Sequence, residues 1–275
     1  MLDEVDAYPL DGERAFSNRT PASGFYTLAF EDLWPTQGDY DLNDLVLHYA
    51  FTLVTDSDNK VKQIDMHGEL VARGAARANG FAISFTGTDS SNFESAFISL
   101  VGTTTSLTPE AGHSGELVMV LVSNVNDALP SAGEYSFYNT NEGDNRSGKT
   151  MHFSMSFTQA VSLSSLGSVP FNPFIFATFN RGVEVHLANK PPTDLADSSL
   201  FGTGDDASNL NSGLYYRTAN NLPWALNITS QWKHPYEQID VGLAYPQIKT
   251  WAETSGGSNQ SWYNAPSVNH CWQCK

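Results

Sequence analysis

Alternation of apolar and polar positions dominates the chain and predicts β-strands. The clearest alternation falls on two runs of apolar residues: Leu45, Leu47, Tyr49, Phe51 and Leu53, then Met151, Phe153, Met155 and Phe157. A period of two turns one face of a strand toward a core. Strand patterns of this kind cover 25–30, 45–54, 61–73, 80–85, 117–125, 135–138, 151–163 and 174–179. Turn-forming clusters separate them, which predicts a mainly β fold: a β-sandwich or jelly-roll-like pair of antiparallel sheets with long loops.

The strand pattern fades near residue 188, and the chain becomes irregular and rich in tryptophan. Five of the six tryptophans lie at or beyond Trp224. Residues 236–253 carry apolar positions at helical spacing, but Gly242 and Pro246 interrupt them, which predicts one or two short helices near the C-terminus. We therefore predict an N-terminal arm or linker (1–23), one β domain (24–264) with this irregular sub-region, and a C-terminal tail (265–275).

Composition narrows the functional classes. The 275 residues include 30 acidic and 14 basic side chains, for a net charge of −16, which excludes a general nucleic-acid binder. No apolar run approaches the roughly 18–20 residues that cross a bilayer, so no membrane span is predicted. The first residues lack the basic and apolar regions of a signal peptide, so we expect any export signal to have been removed or never to have existed.

The densest acidic segment follows the first predicted strand. It contains Glu31, Asp32, Asp39, Asp41, Asn43 and Asp44. Carboxylates this close repel one another unless a cation neutralises them, and Ca²⁺ takes six to eight oxygen ligands from such side chains and from carbonyl groups. Mg²⁺ fits less well because it keeps several waters. The segment predicts a calcium site, although it is not an EF-hand, since Asp44 and Ala50 stand at the sixth and twelfth loop positions.

Two acidic segments also admit a simpler interpretation. The segment 31–44 could be a solvated turn in which Asp and Asn bond their own backbone. Asp205 and Asp206, in a glycine-rich segment, are candidates for a second cation loop, with a plain acidic turn as the alternative. A dinucleotide site there is excluded because no βαβ unit surrounds it.

The remaining motifs give no catalytic prediction. Nucleophile-elbow, zincin and P-loop patterns do not occur, and the seven histidines are scattered, so no catalytic residues are proposed. Trp224, Trp251, Trp262 and Tyr263 could bind a ligand by stacking on sugar rings, or could fill a core. We expect the last pair to be the most exposed. Cys271 and Cys274 could form a redox pair, half a zinc site or a small disulfide; a local disulfide or an inert tail is favoured.

Several motifs carry a resemblance to a known family. They are 28–35 and 38–46 in the first half, and 184–187, 191–193, 200–206, 215–218, 221–225 and 244–246 in the second. Together they resemble LruC domains over about residues 24–264. The resemblance implies a bacterial cell-surface or secreted domain whose biochemical role is largely unassigned. It also implies a cation role for Asp39, Asp41, Asn43 and Asp44, with Glu31 and Asp32 as partners, and no catalytic residues.

The sequence favours a calcium-binding extracellular module for binding or adhesion, which recognises a glycan or a cell-surface protein. One alternative is a secreted polysaccharide hydrolase with an Asp/Glu acid–base pair. No spacing of carboxylates in the sequence points to such a pair, but the sequence does not exclude one. Another alternative is a structural spacer of a larger surface protein. The expected location is extracellular or at the outer surface of a bacterial cell.

Overall fold

Two antiparallel sheets form the framework of the protein, and the computed structural model describes residues 6–274 of it. The predictions for Met1–Val5 and Lys275, at the ends of the arm and tail, lie outside the described residues. The strands are β1 (Phe16–Thr20), β2 (Tyr26–Phe30), β3 (Leu45–Thr55), β4 (Val61–Ala72), β5 (Asn79–Thr86), β6 (Phe93–Leu100), β7 (Thr103–Leu107), β8 (Glu116–Val122), β9 (Lys149–Val161), β10 (Asn172–Ala177), β11 (Asn180–His186) and β12 (Ala225–Ile228). The helices are α1 (Val125–Ala128), α2 (Leu163–Leu166), α3 (Val241–Ala244) and α4 (Ile248–Glu253).

The larger sheet has eight strands in the order β12-β2-β3-β4-β9-β6-β7, with β1 pairing on β3. The smaller sheet has the order β11-β10-β5-β8. The fold is thus mainly β and sandwich-like, as the alternating pattern predicts. Because β1 pairs with β3 from Phe16 to Thr20, this part of the predicted arm belongs to the sheet.

The main core lies between the two sheets. It receives all the apolar residues of the alternating runs in β3 and β9, so the period of two correctly predicts their inward faces. A second core covers the opposite face of the larger sheet, where Ala29, Val46 and Leu226 meet the irregular C-terminal region. The tryptophan-rich segment is therefore a third layer. It includes α3 and α4, the two short helices that flank Pro246.

Some sequence predictions of secondary structure are wrong. Residues 135–138 are not a strand; Tyr138 only bridges to Arg73. The pattern also misses β1, β6, β7, β11 and β12. In β7 the cause is clear, because its Thr-rich residues are mostly exposed and offer no apolar alternation.

The C-terminal tail packs on the second core. Cys271 and Cys274 form a disulfide, with their Cα atoms 5.5 Å apart. Trp272 donates its indole N–H to the Asp144 carbonyl at 2.7 Å and stacks on the ring of His234. The pair is therefore the small local disulfide among the alternatives that the sequence leaves open.

A buried ion network holds β11 against the loop that follows it. Glu184 is fully buried, pairs with Arg181, and accepts hydrogen bonds from His186 Nε2 at 2.8 Å and from the Thr193 amide at 3.0 Å. Burial alone would raise the pKa of Glu184, but these partners outweigh it and lower the pKa from 4.5 to about 2.

This network predicts a specific acid sensitivity. The folded-state pKa of Glu184 is depressed, so its stabilisation is fully present above pH 4.5 and is lost as the pH falls toward about 2. At roughly 1.4 kcal/mol per pKa unit, the loss is about 3 kcal/mol. We expect Glu184→Gln to flatten the fall in unfolding free energy over this pH range, as measured by urea unfolding. The exposed Glu134→Gln is the control; an unchanged acid slope in Glu184→Gln would refute the assignment.

Candidate functional site

The acidic loop, residues 31–44, joins β2 to β3 and closes on itself. Since Phe30 pairs with Leu45 in the sheet, the loop begins and ends at neighbouring positions. The Asp44 amide donates to the Phe30 carbonyl at 3.1 Å, and the Asp32 amide donates to Asp44 Oδ2 at 2.6 Å. The hairpin geometry therefore brings the two ends of the acidic segment together.

The middle of the acidic loop alternates between core residues and polar residues. Tyr40 and Leu42 are buried in the second core and have positive φ angles of 53° and 55°. Such backbone conformations cost a non-glycine residue about 1–3 kcal/mol and persist only where the surroundings enforce them. Here the burial of both side chains supplies that enforcement. The residues that follow them, Asp41 and Asn43, are also buried, at the carboxylate cluster.

The loop carboxylates form two groups that share Glu31. Oxygen atoms of Glu31, Asp32 and Asp44 lie within 4.8 Å of one another, and so do those of Glu31, Asp39 and Asp41. Asp39 reaches solvent, whereas the others are buried. Asp32 is partly engaged elsewhere, because its Oδ2 accepts from Asn79 Nδ2 at 2.6 Å. All the acidic residues singled out in this segment thus converge on one region.

Three buried oxygens in this region have no hydrogen-bond partner among the described residues: Glu31 Oε2, Asn43 Oδ1 and Glu237 Oε2. Glu31 and Asn43 are fully buried. Asn43 uses its Nδ2 to donate to the Pro235 carbonyl at 3.2 Å, which leaves Oδ1 as a pure acceptor. Unpaired buried oxygens are costly, and an oxygen-seeking cation would satisfy them.

Gly74 leaves the space in which two of these oxygens meet. A Cβ atom at Gly74 would lie 1.7 Å from Asn43 Oδ1 and 2.8 Å from Glu237 Oε2. The Gly74 amide also donates to the Asn43 carbonyl at 2.9 Å. Both oxygens therefore approach one face of a residue that has no side chain.

The electrostatics of the cluster penalise negative charge. Burial, followed by the charges of Asp39 and Asp32, raises the pKa of Glu31 to about 8. Burial, followed by the charges of Asp39 and Glu31, raises the pKa of Asp41 to about 9. Burial also raises the pKa of Asp44, with Glu31 contributing. These raised pKa values mean that the ionised carboxylates are disfavoured, and a divalent cation bound among them would favour the ionised form.

Glu237 is a further candidate residue for this site, and the sequence does not reveal it. Its amide donates to the Thr140 carbonyl at 2.8 Å, and the neighbouring Gln238 amide donates to Asp41 Oδ2 at 2.9 Å. Burial raises the pKa of Glu237 to about 7. It lies far along the chain from the acidic loop, within a segment whose only local signal is helical spacing, so no pattern links the two.

The second acidic segment lies against the first but has its own partners. Asp206 accepts from the Gly202 amide and from Ser208 Oγ, both at 2.8 Å. Asp205 Oδ2 accepts from the Gln37 amide at 2.8 Å. These bonds account for three carboxylate oxygens and tie residues 202–208 to the acidic loop. A metal role for Asp205 and Asp206 stays a prediction.

A cavity of about 550 Å³ opens beside β12, and three of the four predicted ligand-binding aromatics line it. Trp251 and Tyr263 are partly exposed, whereas Trp262 is 2 % exposed, contrary to the expectation of an open pair. Trp262 is buried because it packs against Trp232 and Tyr245. The volume of the cavity lies within the range of roughly 300–1,000 Å³ typical of ligand pockets.

Trp224 takes a core position instead of a stacking surface. It is fully buried, and its indole donates to the Thr36 carbonyl at 2.9 Å. The residues on either side, Pro223 and Ala225, do line the cavity. Trp224 therefore connects the cavity wall to the acidic loop.

Fold and site together define an antiparallel β-sandwich domain with a buried carboxylate cluster. Residues 59–263 match the domain of unknown function DUF4842, and the chain belongs to that family. A crystal structure described as a "putative lipoprotein" from Bacteroides ovatus has a similar fold, with a TM-score of 0.68 and 18% sequence identity over 93% of this chain and 75% of that chain. A comparison with curated proteins gave no match. Among the described residues, no helix is both long and apolar enough to span a membrane.

Proposed function

We propose that this chain is a calcium-stabilised extracellular module that binds a glycan in the cavity beside β12. The observation that carries the calcium part is the set of unpartnered buried oxygens on Glu31, Asn43 and Glu237. A solvated acidic turn would expose these oxygens to water. Glu31, Asp39 and Asp41 would hold the ion, and Asn43, Asp44 and Glu237 would complete the six to eight oxygens that Ca²⁺ prefers.

Hydrogen bonds from the acidic loop support a link between the ion and the cavity. The Glu31 amide donates to the Trp224 carbonyl at 2.9 Å, and Tyr40 donates its hydroxyl to the Pro223 carbonyl at 2.7 Å. Trp224 returns a bond to Thr36. An ion that fixes the loop would therefore also fix the segment that forms one wall of the cavity.

The cavity favours binding over hydrolysis. Its described lining contains aromatic faces but no Asp or Glu. A glycosidase needs a carboxyl acid and a carboxylate on the two sides of the scissile bond. The described cavity lining offers neither group to a bound glycan, so a binding role is the better proposal.

Three observations support an extracellular location. The Cys271–Cys274 disulfide is typical of oxidising compartments. The Bacteroides ovatus neighbour is described as a "putative lipoprotein", which is compatible with a surface-associated module. The LruC resemblance of the motifs points to the same setting. An adhesive role, with a surface glycan as the partner, is part of this proposal and is compatible with that location.

Calcium is expected to raise the melting temperature of the wild-type chain after EGTA treatment. A ligand that binds only the folded state at one hundred times its Kd adds about 2.7 kcal/mol, or roughly 5–10 °C for a domain of this size. Differential scanning calorimetry in EGTA and then in excess calcium measures the rise. The double variant Asp41→Ala, Asn43→Ala is expected to lose it.

The matched control for this experiment is Asp58→Ala, an exposed acidic turn residue outside the cluster. It should keep the full calcium-dependent rise. A wild-type melting temperature that calcium does not move would refute the calcium proposal, and an equal rise in the double variant would place the ion elsewhere.

A further inference from the structure

The cavity beside β12 is rich in hydrogen-bond donors. Lys190 and Arg217 line it, and neither makes an ion pair with any described carboxylate within 4 Å. The chain carries 30 acidic against 14 basic residues, yet the described lining holds two cations and no carboxylate. The sign of the charge in the cavity is thus opposite to that of the whole molecule.

Backbone hydrogen bonds fix the position of Lys190 at the cavity. Lys190 ends a turn in which its amide donates to the Leu187 carbonyl, while the Asn189 amide donates to the Tyr215 carbonyl, each at 3.0 Å. The Lys190 side chain is half-buried, and burial lowers its pKa. A lysine in this setting gains from an anion that replaces its lost hydration.

Arg217, which also lines the cavity, is held by Asn221. Its Nη1 donates to Asn221 Oδ1 at 2.7 Å, and Asn221 Nδ2 reaches Ser255 Oγ, just beyond α4, at 3.4 Å. Its buried Nε has no partner among the described residues. The guanidinium is therefore oriented by an amide while retaining unused donors, which suits a carboxylate.

Other lining groups also donate. Asn227 accepts a hydrogen bond from the Tyr49 hydroxyl on Oδ1 at 2.7 Å, which leaves its Nδ2 for a ligand. The indole N–H of Trp251 has no hydrogen-bond partner among the described residues, and Trp251 and the partly exposed Tyr263 both line the cavity. Flat aromatic faces with polar rims suit a sugar ring, and a donor-rich lining without side-chain carboxylates suits an acceptor-rich sugar.

We propose that this cavity recognises an acidic saccharide, whose carboxylate pairs with Lys190 and Arg217 while its ring lies on Trp251. This inference rests on the proposed glycan-binding function and adds the chemical class of the ligand. A neutral glycan would leave both cations without an anion. An acidic glycan satisfies them in a partly desolvated setting, where charge-assisted hydrogen bonds are strongest.

Binding of paired oligosaccharides tests the proposal. The probes are oligosaccharides ending in glucuronate, galacturonate or sialate, each beside the same molecule with its carboxylate reduced to an alcohol. In isothermal titration with excess calcium, we expect at least one acidic probe to bind tenfold or more tightly than its reduced form. A charge-assisted hydrogen bond supports a factor of this size.

Variants separate the contributions of the named residues. Lys190→Met and Arg217→Met should each reduce the preference for the acidic form and the dependence of binding on salt. Trp251→Ala should weaken the binding of both forms. Lys233→Met, which removes an exposed lysine outside the cavity lining, is the matched control and should change neither.

The outcomes distinguish this inference from the proposed function. Equal binding of every acidic probe and its reduced form would overturn the inference and leave a glycan-binding module standing. Lack of binding by all probes, in a protein that calcium still stabilises, would overturn both the inference and the glycan part of the function. An acidic preference that survives in Lys190→Met and Arg217→Met would overturn the assignment of these residues.

Discussion

Replacing Glu31 with glutamine is expected to stabilise the calcium-free protein and, at the same time, to abolish its stabilisation by calcium. The pKa of Glu31 rises from 4.5 to about 8 because the carboxyl group is buried among other carboxyl groups. Each pKa unit corresponds to roughly 1.4 kcal/mol, so the neutral amide should raise the unfolding free energy at pH 7 by about 1–3 kcal/mol. The same substitution removes the proposed ligand that both carboxylate groups share, so we expect the calcium-dependent stabilisation to disappear.

The pH dependence gives the sign of this effect. A folded-state pKa above the unfolded value stabilises the protein fully below pH 4.5, and this stabilisation is lost as the pH rises through about 8. In EGTA, the wild type should therefore lose stability over this range more steeply than Glu31→Gln. Urea unfolding from pH 4.5 to 8, with and without calcium, measures both quantities.

The control for this variant is Glu134→Gln, which makes the same chemical change at an exposed position. It should match the wild type in both buffers. If Glu31→Gln proves less stable than wild type in EGTA, the carboxyl group has a partner that compensates for its burial. If the variant keeps the full response to calcium, Glu31 is not a ligand.

Gly74→Ala is expected to destabilise the fold and to remove calcium binding, although glycine lacks any ligating side chain. The added Cβ would lie 1.7 Å from Asn43 Oδ1 and 2.8 Å from Glu237 Oε2. One of these side chains must therefore move, and overpacking of this kind typically costs about 1–3 kcal/mol. Because the displaced oxygens are proposed ligands, the calcium-dependent rise in melting temperature should fall to near zero.

Gly12→Ala provides the matched control, because a Cβ at Gly12 meets no atom within 4 Å. It should leave both stability and the calcium response unchanged. Calorimetry in EGTA and in calcium separates the two effects of Gly74→Ala. Unchanged calcium binding in a destabilised Gly74→Ala protein would show that Asn43 and Glu237 contribute packing alone.

The acidic loop can be recognised from the local sequence, whereas other residues near it cannot. The density of acidic residues in the loop is visible from neighbouring sequence positions, and it is notable because like charges in one turn repel each other. Asn79, which binds Asp32, and Glu237 cannot be found in this way. They reach the loop through the pairing of distant strands and through the packing of the C-terminal layer.

The roles of the aromatic residues also depend on the tertiary structure. A cluster of tryptophans predicts either a stacking surface or a core, and composition does not separate the two. The structure divides them: Trp224 fills the core, whereas Trp251 lines the cavity. The difference depends on which neighbours cover each ring, and those neighbours come from other parts of the chain.

Three features of this protein can be predicted from the amino-acid sequence: the strands with a strict period of two, such as β3 and β9, the short helices on either side of Pro246, and the acidic loop at residues 31–44. Each of these is a property of neighbouring residues, since side-chain alternation, ring constraint and charge density act locally. The strand order, the approach of Glu237 and Asn43 to Gly74, and the presence of both Lys190 and Arg217 in the lining of one cavity depend on the tertiary structure. These proximities join residues distant in sequence, and the packing of three layers around two cores fixes them.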